Sequence, residues 1–309
     1  MRFNLSNMKL DDLVDDLCRF LISRATSPPF ILGISGGQGA GKTTLCAALA
    51  RALADEGKTA LTLSLDDFYL SKAARQHLAQ TVHPLCATRG VPGTHDVALL
   101  TQVLNGLAHV SPDAPLHLPR FSKSHDDTLL HVPDAPDATD VPDATDVPDA
   151  QVSACPDIVF LEGWCVGGRA SCVEPRPQNS WEETHDPQSV WKQWSQASAR
   201  AYQPIWDMAH ATLLLRQKNF EAVIDSRWQQ EQGNARESGV WQFADRSEVA
   251  AFCAHYESWT LGIWDDLGAR ADFVFGRNAD YEYFPLKACL LYTSPSPRDA
   301  TLSRMPSSA

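Results

Sequence analysis

The sequence predicts an α/β fold, a doubly wound parallel sheet flanked by helices, on three observations. Short apolar runs alternate with amphipathic helical stretches along the chain. The first run passes directly into a glycine cluster and then into strong helix formers. Two of the runs end on carboxylates, Asp66-Asp67 and Glu162, which would bring those groups out at the carboxyl edge of such a sheet, where ligands bind.

From Leu10 to Ile22, apolar residues recur at helical spacing with Asp11, Asp12, Asp15 and Asp16 on the outer face, and Pro28-Pro29 stops the helix. Phe30 to Ser35 reads as a buried strand. Thr43 to Leu53 is a helix closed by Glu56-Gly57, and Thr59 to Leu65 is a second strand, which completes a βαβ unit. Further on, helices are expected over Asp96–Leu107, Val190–Met208, Phe220–Gln232 and Ser247–Leu267. Strands are expected over Leu116–Phe121, Asp157–Glu162, Ala211–Leu215 and Ala271–Phe275. The alternation predicts one domain spanning residues 1–288.

Two segments stand apart from that core. Between Pro133 and Ala150 a Pro/Asp motif recurs, with aspartates at 134, 137, 140, 143, 146 and 149, which is half of the formal net charge of −12. Such a composition has too little apolar surface to bury, so it reads as an insertion in a surface loop, with an acidic docking arm as the other reading. Residues 289–309 turn abruptly Ser/Pro-rich without periodicity and read as a disordered tail of adapter or vector read-through.

Composition narrows the function. With 44% hydrophobic and 21% charged residues the chain has ordinary globular usage, and 38 acidic against 26 basic residues disfavour nucleic acid or an anionic membrane as partner. No run approaches the roughly 18 apolar residues of a membrane span. The eight cysteines form no C-x-x-C pair or zinc spacing. With no signal-peptide pattern at the N-terminus, the expectation is a cytoplasmic protein with reduced thiols.

The strongest chemical signal is Gly36-Gly37-Gln38-Gly39-Ala40-Gly41-Lys42-Thr43, followed by Thr44, a match to G-x-x-x-x-G-K-[ST]. Backbone N–H groups of such a loop curl around phosphate oxygens, and the helix N-terminus behind it favours negative charge. Lys42 would neutralise the β- and γ-phosphates of ATP, and the Thr43 hydroxyl would help hold Mg²⁺. Placed between a strand and a helix, the loop makes this a P-loop NTPase-type sheet.

Asp66 and Asp67 would emerge beside that loop, where one carboxylate could take a proton from an attacking hydroxyl and the other hold a metal-bound water; the alternative is a pair of helix caps. Glu162 ends the next strand where a carboxylate reaches the Mg²⁺ shell, or else it is a salt-bridged strand end.

Together, SLDDFYL (64–70), RGVPGTHD (89–96), LPRFSKS (118–124), FLEGWCVG (160–167) and SRWQQEQ (226–232) resemble the D-glycerate 3-kinase family of P-loop kinases, related to uridine kinase, phosphoribulokinase and bacterial pantothenate kinase. The resemblance covers about residues 10–285. It implies a helical lid, and it implies Asp66 as base or orienter of the acceptor hydroxyl, with Glu162 near the metal. Asp67, Tyr69, Arg89, His95 and Asp96, with the basic pair Arg120 and Lys123, would line the acceptor site. Arg227 would close from the lid onto the phosphates. An arginine fork suits glycerate, whose carboxylate it can hold while leaving the hydroxyls free. Each basic residue has a second reading as solvated surface charge, and His95 as a core histidine.

The sequence departs from the family pattern at Ser122, where relatives carry aspartate. It departs again in HDDTLLHVPDA after Ser124, and at Ser226, where tryptophan commonly precedes the lid arginine. All three lie on the acceptor and lid side. The leading expectation is an ATP-dependent kinase of a small acidic metabolite, D-glycerate to 3-phosphoglycerate. The alternatives are a nucleoside or pantothenate kinase, or a P-loop ATPase or switch. Against the last stand the absence of N-K-x-D for guanine and of an Asp-Glu pair at residues 161–162.

Overall fold

The computed structural model describes residues 7–123, 125–129, 151–239, 241–278 and 282–288. The Pro/Asp repeat at 133–150 and the tail at 289–309 lie outside the described residues.

α1 (Leu10–Arg24) buries Leu13, Val14, Leu17, Cys18, Phe20 and Leu21, the stripe its spacing predicts, and Asp12 reaches back to accept a hydrogen bond from the Lys9 N–H at 3.1 Å. β1 (Phe30–Gly36) is buried along its whole length, as a central parallel strand must be. α2 (Lys42–Asp55) follows, then β2 (Ala60–Ser64), which gives way at Leu65 to a 3₁₀ turn ending at Phe68. Asp66 and Asp67 therefore sit on that turn, just beyond the strand.

α3 (Lys72–Thr81) and α4 (Val97–Gly106) lead to four short strands: β3 (Leu116–His117), β4 (Arg120–Ser122), β5 (Asp127–Leu129) and β6 (Gln151–Val152). β7 (Ile158–Gly163) returns to the main sheet, followed by α5 (Ser180–His185), α6 (Val190–Ser198) and α7 (Gln203–Trp206). The chain closes with β8 (Ala211–Arg216), α8 (Phe220–Ser238), α9 (Arg246–Ala254), α10 (Glu257–Arg270), β9 (Phe273–Arg277) and β10 (Tyr283–Ala288).

The main sheet runs β10-β9-β8-β1-β7-β2, parallel except for β10. Alternate residues feed two cores. Ile31, Val159, Leu161, Leu214 and Val274 face α4, α6 and α10, while Leu32, Ile34, Phe160, Leu213 and Phe275 face α1 and α2. Helices thus cover both faces, which is the doubly wound arrangement. No helix among the described residues is long and apolar enough to cross a membrane.

Four differences from the sequence reading have local causes. The helix expected over 190–208 breaks into α6, a 3₁₀ turn at Ala199–Tyr202, and α7, because Pro204 has no N–H to continue the ladder. The helix over 247–267 is interrupted at His255 and Tyr256, where the Tyr256 hydroxyl donates to the Arg89 carbonyl at 3.0 Å and its ring lies against Gly90. The strand over 116–121 splits at Pro119 into β3, paired with β6, and β4, paired with β5. β10, unforeseen, carries Pro285 and takes the edge position that a proline-containing strand tolerates.

Candidate active site

Strand order sets the site. β7 lies between β1 and β2, so its C-terminal Glu162 stands between the glycine loop that leaves β1 and the Asp66-Asp67 turn that leaves β2. In register, Glu162 is opposite Ile34 on one side and Ser64 on the other.

The loop's shape depends on glycine at two positions. Gly39 (φ 69°) and Gly41 (φ 93°) hold left-handed backbone, and a Cβ on Gly39 would come within 2.5 Å of the Ser226 Cβ on α8. Several loop carbonyls are engaged. Lys42 Nζ donates to the carbonyls of Gly36 (2.8 Å) and Gly37 (3.2 Å), Gln217 Nε2 to Gln38 (2.8 Å), and Arg277 Nη1 to Gly39 (3.0 Å). α2 starts with no side-chain cap and no acid in its first turn, so its positive end is left open to an anion such as a phosphate. Thr43 and Thr44 are exposed there, while Ala40 of the loop is buried.

Glu162 is 6% exposed and has no ion-pair partner among the described residues. A buried carboxylate at the end of β7 and an exposed threonine hydroxyl at the start of α2 are hard oxygen donors of the kind that fits Mg²⁺, an ion that takes few protein ligands and completes its shell with water and phosphate oxygens.

At the Asp66-Asp67 turn, Lys123 Nζ lies 3.0 Å from Asp66 Oδ2, and Arg120 Nη1 lies 2.9 Å from Asp67 Oδ2. Burial alone would raise the Asp66 carboxyl, but Lys123 and Lys42 hold it below the ordinary carboxylate value. For Asp67 the balance is reversed. Burial outweighs Arg120 and the Phe121 N–H, which donates to Oδ1 at 3.3 Å, and the carboxyl is raised. The two neighbouring aspartates differ accordingly: Asp66 is the stronger acid and Asp67 is tied into the base of the β4–β5 hairpin.

Tyr69 is buried with its ring stacked on His95 at 4.3 Å and edge-on to Phe121 at 5.3 Å. His95 Nδ1 is 2.8 Å from the Tyr202 hydroxyl, its Nε2 is buried without a partner, and burial pushes its pKa down to about 3. It is a neutral imidazole at physiological pH. Arg89, over the Phe121 ring at 5.3 Å, pairs with Asp126. Asp96 is turned to α4, where it caps the helix by accepting from the Leu99 N–H at 2.9 Å. Arg227 is turned to its own helical segment, 3.2 Å from Glu231 Oε2, donating to Gln242 Oε1 at 3.1 Å and lying over the Phe243 ring at 5.2 Å.

The structure thus gathers the glycine loop with Lys42 and Thr43, Asp66, Asp67, Glu162, Tyr69, His95, Arg89, Arg120 and Lys123 around one sheet edge. Asp96 caps a helix beside it, and Arg227 engages partners on α8 and in the segment that follows it. Sequence reading missed Arg75, Asp126, Tyr202, Gln217 and Arg277, which support the site through contacts distant in the chain and belong to no motif.

No family model matches the chain. It is 31% identical over 254 residues to the uncharacterized kinase mug58 of Schizosaccharomyces pombe, an alignment covering 80% of this chain and 86% of that protein. It is 35% identical over 100 residues to the chloroplastic D-glycerate 3-kinase of Arabidopsis thaliana, covering 31% of this chain and 22% of that one. Among solved structures, the D-glycerate 3-kinase of Cryptococcus neoformans var. grubii superposes with a TM-score of 0.66 at 23% identity, covering 88% of this chain and 99% of that one. The YGR205w protein superposes at 0.64 and 21% identity, covering 91% and 100%. At those identities the two structures establish the fold, and the fold is that of P-loop kinases.

Proposed function

We infer that this chain, which belongs to the D-glycerate 3-kinase family of P-loop kinases, transfers the γ-phosphoryl group of Mg-ATP to a hydroxyl of D-glycerate, giving 3-phosphoglycerate. The observation that carries the reading is the position of Glu162 between the glycine loop and the Asp66 turn. Phosphate-binding backbone, a metal-ligating carboxylate and a candidate base follow one another along a single sheet edge.

The loop N–H groups and the α2 N-terminus bind the phosphates. Lys42, released from the Gly36 and Gly37 carbonyls, turns to the β/γ oxygens. Thr43, Glu162 and Asp66 are the oxygens that would hold Mg²⁺, which when bound neutralises charge on the phosphoryl oxygens. The acceptor hydroxyl oxygen forms a bond to the γ-phosphorus as the bond to the ADP oxygen breaks, and the hydroxyl proton passes to Asp66. Held below its ordinary value, Asp66 is ionised and ready to accept. Arg89 and the hairpin cations Arg120 and Lys123 favour an acceptor that carries a negative charge. Arg227 and α8 close over the phosphates and expel water that would otherwise hydrolyse ATP.

The test is ADP release from Mg-ATP with D-glycerate, L-glycerate, uridine, pantothenate or no acceptor, with Lys42→Ala as the blank. Stimulation by D-glycerate, with a phosphorylated product by mass, is expected. Equal ADP release without acceptor would turn the reading to an ATPase, and stimulation by uridine or pantothenate alone would move it to a different acceptor.

A further inference from the structure

Asp126 closes the turn between β4 and β5 with φ at 53°, a left-handed backbone that aspartate tolerates better than most residues. Its two carboxylate oxygens meet two different arginines. Oδ1 accepts from Arg89 Nη1, and Oδ2 lies 3.1 Å from Arg75 Nη2.

Arg75 is 1% exposed and every other hydrogen bond it makes is to main chain. Nε donates to the Leu70 carbonyl (3.1 Å), Nη1 to Ala87 (2.7 Å), and Nη2 to the carbonyl of Asp126 itself (2.6 Å). Its guanidinium joins the segment after the Asp66-Asp67 turn, the segment before Arg89, and the hairpin tip. Because the planar fork fixes the direction of each N–H, Arg75 holds Asp126 as a rigid bracket would. Asp126 in turn takes only one nitrogen of Arg89. The Arg89 guanidinium also stacks over Phe121, is 22% exposed, and meets no second carboxylate among the described residues. The rest of its fork is available for a carboxylate.

We propose that Asp126, braced by Arg75, is a positioning residue that presents the free edge of Arg89 to the carboxylate of the acceptor. The inference rests on the glycerate reading above and adds to it how acidic acceptors are selected. An arginine already fixed in place loses little side-chain freedom when the acceptor arrives, so affinity is gained by preorganisation. The hairpin that departs from the family pattern thereby acquires a role, carrying Arg120 and Lys123 to the two aspartates and Asp126 to the arginine.

The test is steady-state kinetics of the full chain in Asp126→Asn, Arg89→Ala and the double variant. Asparagine keeps the left-handed turn and removes the charge. Asp126→Gly, equally at ease at that φ, is the second variant should the asparagine enzyme fail to fold. The expected result is a rise of about tenfold in the KM for D-glycerate, equivalent to about 1.4 kcal/mol, with the KM for ATP within twofold of wild type. In the Arg89→Ala background the Asp126 substitution should add nothing, since its effect runs through Arg89.

A lower KM for D-glycerate would overturn the proposal, because Asp126 would then compete with the acceptor for Arg89. So would an unchanged KM, or a loss of the same size without Arg89. If wild-type enzyme is not stimulated by D-glycerate, the glycerate reading fails and takes this inference with it. That outcome is distinct, since it is seen before any variant is compared.

Discussion

Lys123 Nζ stands 3.0 Å from Asp66 Oδ2, and Lys42 adds a second positive charge nearby, so the carboxylate proposed as the base is also held in its ionised form. Asp66→Asn keeps the shape and removes the basicity. ATP binding, followed by titration of a fluorescent nucleotide analogue, should stay within a few-fold of wild type. kcat should fall by about 10²–10⁴, the usual worth of a positioned general base. Normal turnover in Asp66→Asn would remove Asp66 from that role.

Gly39 is where the phosphate loop and α8 meet. A methyl group there would sit 2.5 Å from the Ser226 Cβ and would also demand φ of 69° from an L-residue. Gly39→Ala should therefore raise the KM for ATP by an order of magnitude or more, with D-glycerate affinity the less affected. The small side chain at 226 has a consequence here: serine lets α8 lie directly on the loop. Gly39→Ala/Ser226→Gly should recover part of the loss, because the new methyl then has room. Nucleotide affinity unchanged by Gly39→Ala would mean that this contact does not shape the phosphate site.

The parallel core was legible because buried strands such as Phe30–Ser35 and Asp157–Glu162 are continuous apolar runs, and the glycine loop because phosphate geometry demands a fixed spacing. α3 was not, since KAARQHLAQT has no apolar stripe and the residue it buries is Arg75. Nothing local marks an arginine as a core residue; only its carbonyl partners at 70, 87 and 126 do so. Asp96 illustrates the opposite limit. A family motif brought it forward as an acceptor-site residue, and its side chain is occupied in capping α4. The two breaks at Pro204 and Tyr256 differ in the same manner. Proline is visible in the sequence, whereas the hydrogen bond from Tyr256 to Arg89 arises only from the fold.

Outside the site, Lys192 and Glu182 form an ion pair at 2.6 Å with both side chains removed from solvent, and the Ser258 hydroxyl donates to the same carboxylate oxygen at 2.5 Å. The second oxygen accepts from the Gln178 N–H at 2.7 Å, so the carboxylate is fully engaged. Lys192→Met leaves that carboxylate charged and without its cation. It should destabilise the protein by about 3–5 kcal/mol, measured by urea unfolding. Lys192→Met/Glu182→Gln removes both charges and should recover most of the loss. A single variant as stable as wild type would show that the pair is not what holds α5 and α6 together.

His95 and His255 are both buried, each with Nε2 unpartnered, and burial pushes both imidazoles down to about 3. The ordinary value for histidine is about 6.5. Below it the unfolded chain takes up protons that the folded chain refuses, so the stability these rings contribute is complete above pH 6.5 and is lost as the pH falls toward 3. The slope is up to about 1.4 kcal/mol per pH unit for each ring, so moving from pH 7 to pH 5 should cost roughly 2 kcal/mol for each. Urea unfolding at the two pH values measures it. His255 lies among Trp181, Trp191 and Tyr256 at ring separations of 5.3, 4.8 and 5.0 Å, so His255→Phe keeps an aromatic packing partner while removing one titrating group. That variant should lose about half of the pH dependence. Stability that is flat between pH 7 and pH 5 would place both imidazoles in contact with water, contrary to the packing that encloses them.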